Sequence, residues 1–273
     1  MSVEKDRDYV LGTHDEEIER LALQHRVWGP RAQYAWRRAG FTVGQTLLDV
    51  GCGPGHATQD LAGIVGPGGR VIAMDRSRRF LDYLEATRAQ RRQTQIEVHE
   101  IDLGRDPLPA AEADGAWVRW VFSFVSERRR LMTRLCRAIR PGGSIVLHEY
   151  CDYRTWRYSP RSPEIEEFVQ LVMASWRENG GEPDVGLELP GWLEEEGFEL
   201  RSLESIQHVV PPTNFVWQWA RAFLATGPER LVELGRLTRA QADAIAAAHA
   251  ALEANPSALV FTPAVLEIIA VRR

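Results

Sequence analysis

The chain has 273 residues, of which 44% are hydrophobic and 26% are charged, a balance typical of a water-soluble globular protein. Its net charge of −5 excludes a general electrostatic attraction to nucleic acid or to an anionic membrane. Cys52, Cys136 and Cys151 form neither a metal-ligand spacing nor an even disulfide set. The N-terminus lacks an apolar signal segment, and no run approaches the roughly 20 apolar residues that span a bilayer. We therefore expect a cytoplasmic protein with no metal, no membrane span and no nucleic-acid partner.

The first part of the chain predicts a helix followed by a parallel sheet. Residues 15–28 place Ile18, Leu21, His25 and Trp28 on one stripe, which indicates an amphipathic helix. From residue 46 to 150, short apolar runs alternate with helical periodicities, as in a sheet covered by helices on both faces. The expected strands are 46–50, 70–75, 96–101, 115–122 and 143–150, with helices at 78–92 and 127–139.

The second part of the chain predicts more helix than strand. Helical patterns cover 164–179 and 186–197, and at least two helices fit within 214–254, while 198–210 and 260–271 are strand candidates. The domain plan is an N-terminal lid segment and helix (1–30), a core (31–154), a two-part helical cap (155–197 and 212–256), and two returning strands (198–211 and 257–273).

The most informative stretch is 47–55, Leu-Leu-Asp-Val-Gly-Cys-Gly-Pro-Gly, an apolar strand that ends in a glycine-rich turn. Glycines at alternate positions allow positive φ and let a ligand approach the backbone closely. The helix expected after the turn would point its free N–H groups at the same place. Asp75 ends the next strand, where an acid can accept both hydroxyls of a ribose.

The spacing of the glycines separates two kinds of nucleotide cofactor. A dinucleotide fingerprint has the spacing G-x-G-x-x-G, but His56 occupies the position of its third glycine. Asp49 would also repel a diphosphate, whereas it suits the ammonium group of an amino acid. An NAD-dependent oxidoreductase is therefore disfavoured.

These features resemble the class I S-adenosylmethionine-dependent methyltransferases, whose first motif is an acid followed by G-x-G-x-G and whose second is an acid ending the next strand. The helix-turn-strand punctuation at 135–143 is similar to the one before the fifth strand of that family. The resemblance implies a Rossmann-like, seven-stranded, mostly parallel α/β sheet with helices on both faces and a helical cap. It also implies S-adenosylmethionine as cofactor, S-adenosylhomocysteine as product, and no metal.

The resemblance also implies which residues bind the cofactor. Asp102 and Leu103 would meet the adenine, Arg119 the carboxylate and Trp120 the sulfonium, although loop capping for Asp102 and sheet packing for Arg119 and Trp120 stay open. A lid similar to that of bacterial ubiquinone and menaquinone methyltransferases would contribute Tyr9 and Gln24. The cofactor-binding candidates are Tyr9, Gln24, Asp49, Gly51, Cys52, Gly53, Gly55, Asp75, Arg76, Asp102, Leu103, Arg119 and Trp120.

The end of the fifth strand carries the candidates for catalysis. If the acceptor is a hydroxyl, a base would accelerate transfer, and His148 and Glu149 are the candidates, although they lie on opposite faces of the strand. Tyr150, Tyr153 and Trp217 are expected to contact the substrate. The many aromatic residues of the cap indicate a small, apolar or aromatic acceptor, with O-methylation favoured over C- or N-methylation. A non-methylating cofactor-binding protein or a cyclase stays the alternative, and a homodimer is left open.

Overall fold

The computed structural model describes residues 15–109 and 112–273. The helices in these ranges are α1 (Asp15–Arg38), α2 (His56–Val65), α3 (Arg78–Gln90), α4 (Arg128–Ala138), α5 (Pro163–Glu178), α6 (Leu189–Glu195), α7 (Trp217–Glu233) and α8 (Arg239–Ala254). The strands are β1 (Thr46–Val50), β2 (Arg70–Asp75), β3 (Ile96–Glu100), β4 (Ala113–Arg119), β5 (Ile139–Asp152), β6 (Arg157–Ser159), β7 (Phe198–Ile206), β8 (Val209–Val210), β9 (Leu259–Phe261) and β10 (Ala264–Arg272).

Seven strands form one twisted sheet in the order β3-β2-β1-β4-β5-β10-β7. Strands β1 to β5 are mutually parallel, and β10 runs antiparallel to both β5 and β7. Strand β1 is an interior strand, with Leu48 opposite Ile72 of β2 on one side and Ala116 of β4 on the other. The predicted Rossmann-like architecture is confirmed.

Helix α1 extends beyond residue 28, where the sequence predicts its end, and continues through Pro30 to Arg38. Its second half extends the apolar stripe with Ala32, Ala35 and Trp36, all fully buried. The ring of Trp36 packs edge-on against Trp117 of β4, with centroids 5.2 Å apart. This burial of large aromatic surface against the sheet outweighs the helix-breaking tendency of a single proline.

Three short strands form a second sheet, in the order β6-β9-β8, which the sequence did not predict. The expected strand 198–210 is split into β7 and β8, and the expected strand 260–271 into β9 and β10. Pro263 causes the second break, because proline has no N–H to donate to a ladder. Across both breaks, Thr262 N–H donates to His208 O and His208 N–H donates to Thr262 Oγ1, each at 3.0 Å.

Strand β5 begins earlier than predicted, at Ile139 rather than residue 143. Its pairing with β4 starts at Ala113 opposite Ile139 and resumes at Gly115 opposite Ser144, so the Pro141-Gly142-Gly143 turn forms an irregularity inside the strand. The cap consists of α5, α7, α8 and the small sheet, packed around residues such as Phe168 and Phe223. None of the described helices is both long and apolar enough to cross a membrane.

Candidate active site

A cavity of about 550 Å³ opens at the carboxyl edge of the sheet, between the strand tips, α1 and the cap. This is the edge at which open α/β sheets bind their ligands. Thirteen of the predicted site residues line the cavity: Gln24, Asp49, Gly51, Cys52, Gly53, Asp75, Arg76, Asp102, Leu103, Arg119, Trp120, Tyr150 and Tyr153. Tyr9 lies outside the described residues.

Asp75 joins the glycine turn to the tip of β2. Its Oδ2 accepts the Gly53 N–H and its Oδ1 accepts the Ser77 N–H, both at 2.9 Å. Burial raises the pKa of Asp75, and these two hydrogen bonds oppose the shift. A carboxylate oxygen can accept more than one hydrogen bond, so both oxygens retain capacity for a ligand's hydroxyl groups.

The three glycines of the turn all have positive φ but serve different purposes. A Cβ on Gly53 would meet only Leu21 Cδ1, at 3.9 Å, so its open side belongs to the cavity. A Cβ on Gly51 would lie 2.3 Å from Val121 Cγ2, and one on Gly55 would lie 2.4 Å from Leu84 Cδ1. Gly55 does not line the cavity; the expectation that it contacts the cofactor is wrong, because it lets the start of α2 pack against α3.

Asp49 is 2% exposed and lies under the turn. Its Oδ2 accepts the Thr58 hydroxyl at 2.5 Å. Burial raises the pKa of Asp49 to about 6, while the Thr58 hydrogen bond and the positive charge of Arg119 oppose the shift. The cavity wall therefore contains an acid that a neighbouring cation would ionise fully.

Arg119 leaves the end of β4 and reaches helix α1. Its Nη2 lies 3.2 Å from His25 Nδ1, and His25 Nε2 lies 3.1 Å from Asp60 Oδ2. Arg119 Nη1 is buried and has no hydrogen-bond partner in the described part of the chain. Burial lowers the pKa of Arg119 to about 10, which keeps the guanidinium charged at neutral pH. An unpartnered cationic donor in this position fits an anionic ligand group.

Asp102 and Leu103 form a turn just after β3. Asp102 Oδ1 accepts the Gly104 N–H at 2.9 Å, so the loop-capping role that was left open is present. Its other oxygen is 3.7 Å from Arg105 Nε. Leu103 O accepts from Arg134. Both residues line the cavity near its third-strand end.

Trp120 follows Arg119 with a φ of +52°, an uncommon conformation for a large side chain. Its ring lies nearly parallel to those of Tyr150 and Trp219, at interplanar angles of 15° and 12°. Backbone strain of this kind is often found at functional sites. The turn brings an aromatic wall across the cavity and joins the sheet to the cap.

Gln24 connects the first helix to the cap. Its Oε1 accepts from Arg20 Nη1 at 3.3 Å and from Trp219 Nε1 at 3.2 Å. Because both contacts use the amide oxygen, the Gln24 amide nitrogen is directed away from these two donors. Helix α1 therefore contacts the cap beside the cavity.

His148 and Glu149 do not line the cavity, and both are 0% exposed. His148 Nε2 lies 2.8 Å from Glu267 Oε2, and its ring packs against Trp117 at the α1 side of the sheet. Tyr150 shares that strand face but sits about 7 Å further toward the carboxyl edge, which is why it alone reaches the cavity. The expectation that His148 acts as a base is wrong.

Glu149 organises the loop after β4 instead of facing a substrate. Its carboxylate accepts the N–H groups of Val121 at 2.6 Å and Phe122 at 2.9 Å, together with the N–H and hydroxyl of Ser123. Burial raises the pKa of Glu149 to about 7, against the effect of these donors. Its acceptor capacity is used by the protein, so the expectation that Glu149 is a base is also wrong.

Trp217 is 1% exposed and belongs to the interior of the cap. Its ring contacts Tyr158 and His249, on the side of α7 away from the cavity. Trp217 does not line the cavity. The expected substrate contact is wrong for Trp217, whereas Trp219 lines the cavity, because residues two apart on a helix point in different directions.

Sequence reasoning missed several residues at the site. His25 contacts Arg119 across 94 positions of the chain and contacts Asp60 across 35 positions, and no local pattern marks such contacts. His56, noted only as a departure from the dinucleotide spacing, lines the cavity, and burial lowers its pKa to about 4. The signal that could have found it is its position at the start of α2, directly after the turn.

Residues 48–147 match the family model described as "Methyltransferase domain". A demethylmenaquinone methyltransferase of Lactococcus lactis is 27% identical over 126 residues, which cover 46% of this chain and 49% of that protein. A 2-phytyl-1,4-naphtoquinone methyltransferase of Nostoc punctiforme is 29% identical over 169 residues, which cover 61% of this chain and 69% of that protein. The chain thus spans about half the length of the first of these relatives.

A solved structure from Bacillus halodurans, described as a candidate methyltransferase, has the same fold. It aligns with a TM-score of 0.59 at 14% sequence identity and covers 88% of this chain and 97% of that one. The sheet order and the structural neighbour define a Rossmann-like fold. Within it, residues 48–147 are similar to the methyltransferase domain of the class I S-adenosylmethionine-dependent enzymes.

Proposed function

We propose that this protein transfers the methyl group of S-adenosylmethionine to a small, apolar or aromatic acceptor. The observation that carries the proposal is one continuous cavity, lined at one end by the Gly53–Asp75 unit and at the other by aromatic rings. Ligand sites of this size are mostly apolar, with a few polar groups that fix the ligand's orientation.

The polar end of the cavity fits the adenosine part of the cofactor. The two oxygens of Asp75 would accept the ribose hydroxyls beside the open face of Gly53. The Leu103 N–H has no hydrogen-bond acceptor among the described residues, and with Asp102 it would meet the adenine. Cys52, Gly51 and Arg76 complete this part of the wall.

The amino-acid part of the cofactor fits between Asp49 and Arg119. The ionised carboxylate of Asp49 would attract the ammonium group, and the unpartnered Arg119 Nη1 would donate to the carboxylate. The negative charge of Asp49 and the positive charge of Arg119 thus complement the two opposite charges of an amino acid. A dinucleotide would instead place an anionic diphosphate at the turn, where the Asp49 carboxylate would repel it.

The aromatic end of the cavity would hold the methyl acceptor. Tyr150, Tyr153, Trp156 and Trp176 line it, and neither tyrosine hydroxyl has a hydrogen-bond partner among the described residues. Burial raises the pKa of both phenols, so they would donate to an acceptor oxygen rather than take its proton. This supports an aromatic acceptor that bears oxygen, and the names of the two curated relatives also contain quinones.

When bound, S-adenosylmethionine would supply a methyl group on a positively charged sulfur. A nucleophile of the acceptor would attack the methyl carbon, and the sulfur would leave as the neutral thioether of S-adenosylhomocysteine. The residues of this chain would then act by alignment and by excluding water. Trp120, Tyr150 and Trp219 form the wall at which the two ends of the cavity meet. An uncharged wall is suitable there, because the sulfur loses its positive charge during transfer.

The proposal is tested first by binding and then by turnover. Calorimetry should show micromolar binding of S-adenosylhomocysteine, and incubation with S-adenosylmethionine and a panel of phenols and quinols should give a methylated product by mass spectrometry. Gly53→Ala should abolish binding by filling the cavity. Gly66→Ala is the matched control, because Gly66 also has positive φ and an open Cβ position but lies outside the cavity.

Three outcomes decide the proposal. If the wild-type protein binds neither ligand, the proposal is wrong. If S-adenosylmethionine binds but stays intact while an acceptor is rearranged, the non-methylating alternative is correct. If both glycine variants lose binding equally, backbone strain rather than cavity filling is responsible, and the placement of the cofactor at Gly53 is wrong.

A further inference from the structure

We infer that His25 and Asp60 are positioning residues that hold the Arg119 guanidinium for the cofactor carboxylate. The inference rests on the proposed function for the identity of the ligand. Its geometry comes from a chain of side-chain contacts that joins α1, α2 and β4. The contacts run from Gln33 to Asp60, from Asp60 to His25, and from His25 to Arg119.

The contact with Arg119 fixes the protonation state of His25. An arginine guanidinium has donors and no acceptor. His25 Nδ1, 3.2 Å from Arg119 Nη2, must therefore present a lone pair. The ring proton of the neutral imidazole then sits on Nε2, which donates to Asp60 Oδ2 at 3.1 Å. Gln33 Nε2 donates to the same oxygen at 3.0 Å and holds Asp60 in place.

Arg119 is otherwise held mainly by ring faces. Its guanidinium carbon lies 5.6 Å from the Trp117 ring centroid and 5.4 Å from that of Trp120. Such contacts hold the cation over a surface but leave it free to slide. The hydrogen bond to His25 directs Nη2, and since the guanidinium is planar and rigid it also fixes where Nη1 points. This is the nitrogen left without a protein partner.

Only a neutral imidazole can accept from Arg119, because an imidazolium ion has donors on both nitrogens. The other groups that face the His25 ring are Asp60 and His56, whose ring lies 6.0 Å away. Burial and the proximity of His25 lower the pKa of His56 to about 4, so His56 stays neutral above that pH.

The test compares two probes that differ in the amino-acid part. S-adenosylhomocysteine carries the carboxylate that Arg119 would hold and the ammonium that Asp49 would hold, whereas 5′-methylthioadenosine has the same nucleoside and neither charged group. His25→Ala should weaken the binding of the first probe by about fivefold to tenfold, the effect of one lost charge-assisted hydrogen bond. It should leave the second probe within about twofold of wild type. His99→Ala on β3, outside the cavity, is the matched control.

A conservative variant tests the positioning role directly. A glutamine at position 25 can accept from Arg119 through its oxygen and donate to Asp60 through its nitrogen. His25→Gln should therefore bind S-adenosylhomocysteine within about twofold of wild type at about pH 8.

An independent readout needs no ligand. The imidazole ¹⁵N spectrum of the free protein at about pH 8 should show His25 protonated on Nε2 and not on Nδ1. The inference is wrong if the opposite tautomer is present, if His25→Ala weakens both probes equally, or if His25→Gln loses as much affinity for S-adenosylhomocysteine as His25→Ala. If wild type binds 5′-methylthioadenosine but not S-adenosylhomocysteine, the amino-acid site formed by Asp49 and Arg119 is wrong. If wild type binds neither probe, the proposed function is wrong as well.

Discussion

The Gly53 N–H donates to Asp75 Oδ2 at 2.9 Å, across 22 positions of the chain. This bond ties the turn after β1 to the tip of β2. The glycine that opens the cavity and the acid that would hold the ribose therefore move as one unit. A change at either residue affects the position of the other.

Asp75→Asn should weaken S-adenosylhomocysteine binding by at least about tenfold. The amide nitrogen cannot accept a hydrogen bond, so either Gly53 or Ser77 would lose its acceptor and the ribose would lose one oxygen. Calorimetry measures the affinity, and thermal unfolding should show a loss of about 1–3 kcal/mol. Asp82→Asn, on an exposed face of α3, should change neither. Equal affinities in the two variants would exclude Asp75 from the site.

Asp49 should make the binding of S-adenosylhomocysteine dependent on pH. Its pKa is raised to about 6 in the ligand-free protein, and a bound ammonium group would favour the ionised form. Affinity should therefore be full above about pH 6 and fall below it, by up to about tenfold per pH unit. Calorimetry from about pH 8 to about pH 5 measures this slope.

The variant that isolates this effect is Asp49→Asn. It should bind more weakly than wild type at about pH 8 and should show a shallower slope, because the amide does not titrate. Thr58→Ala is the companion control, since it removes the hydrogen bond to the carboxylate but leaves the charge in place. An unchanged slope in Asp49→Asn would assign the pH dependence to other groups.

The sheet and the polar end of the cavity could be predicted from the sequence because their signals are local. Strand β2 ends at Asp75, and Asp49 lies one residue before the end of β1. The three glycines follow β1 directly, at positions 51, 53 and 55. Parallel strands share a carboxyl edge, so the approach of Asp49 and Asp75 followed from strand order alone. The lining of the cavity by Arg119 and Trp120 followed in the same way.

The sequence alone did not predict which side chains beyond the strand tips face the cavity. His148 and Tyr150 share a strand face, but His148 is covered beside Glu267 of β10, whereas Tyr150 lies nearer the carboxyl edge and lines the cavity. Trp217 and Trp219 differ by two positions on one helix, and the contacts of α7 decide which faces the cavity. His25, the side chain that contacts Arg119, lies on helix α1, so no residue spacing in the sequence indicates this contact.

Glu149→Gln should reduce stability more than binding. The amide would place an NH₂ group against N–H donors of the Val121–Ser123 loop, and a lost buried acceptor costs about 1–3 kcal/mol. Urea unfolding measures this loss. Ser123→Ala should cost less, because it removes one donor and leaves the carboxylate satisfied. A variant with wild-type stability but no methyl transfer would instead restore Glu149 as a catalytic base.

The neighbouring tryptophans of α7 allow a matched pair of substitutions that keep an aromatic ring. Trp219 Nε1 donates to Gln24 Oε1 at 3.2 Å, whereas Trp217 Nε1 is buried without a hydrogen-bond partner in the described ranges. Trp219→Phe should release Gln24 and weaken S-adenosylhomocysteine binding by roughly threefold to tenfold. Trp217→Phe removes an unsatisfied donor, so its free energy of unfolding should stay within about 1 kcal/mol of wild type and its affinity should not change. Calorimetry and urea unfolding on both variants check this, and a larger loss of affinity in Trp217→Phe would contradict the assignment of that residue to the interior of the cap.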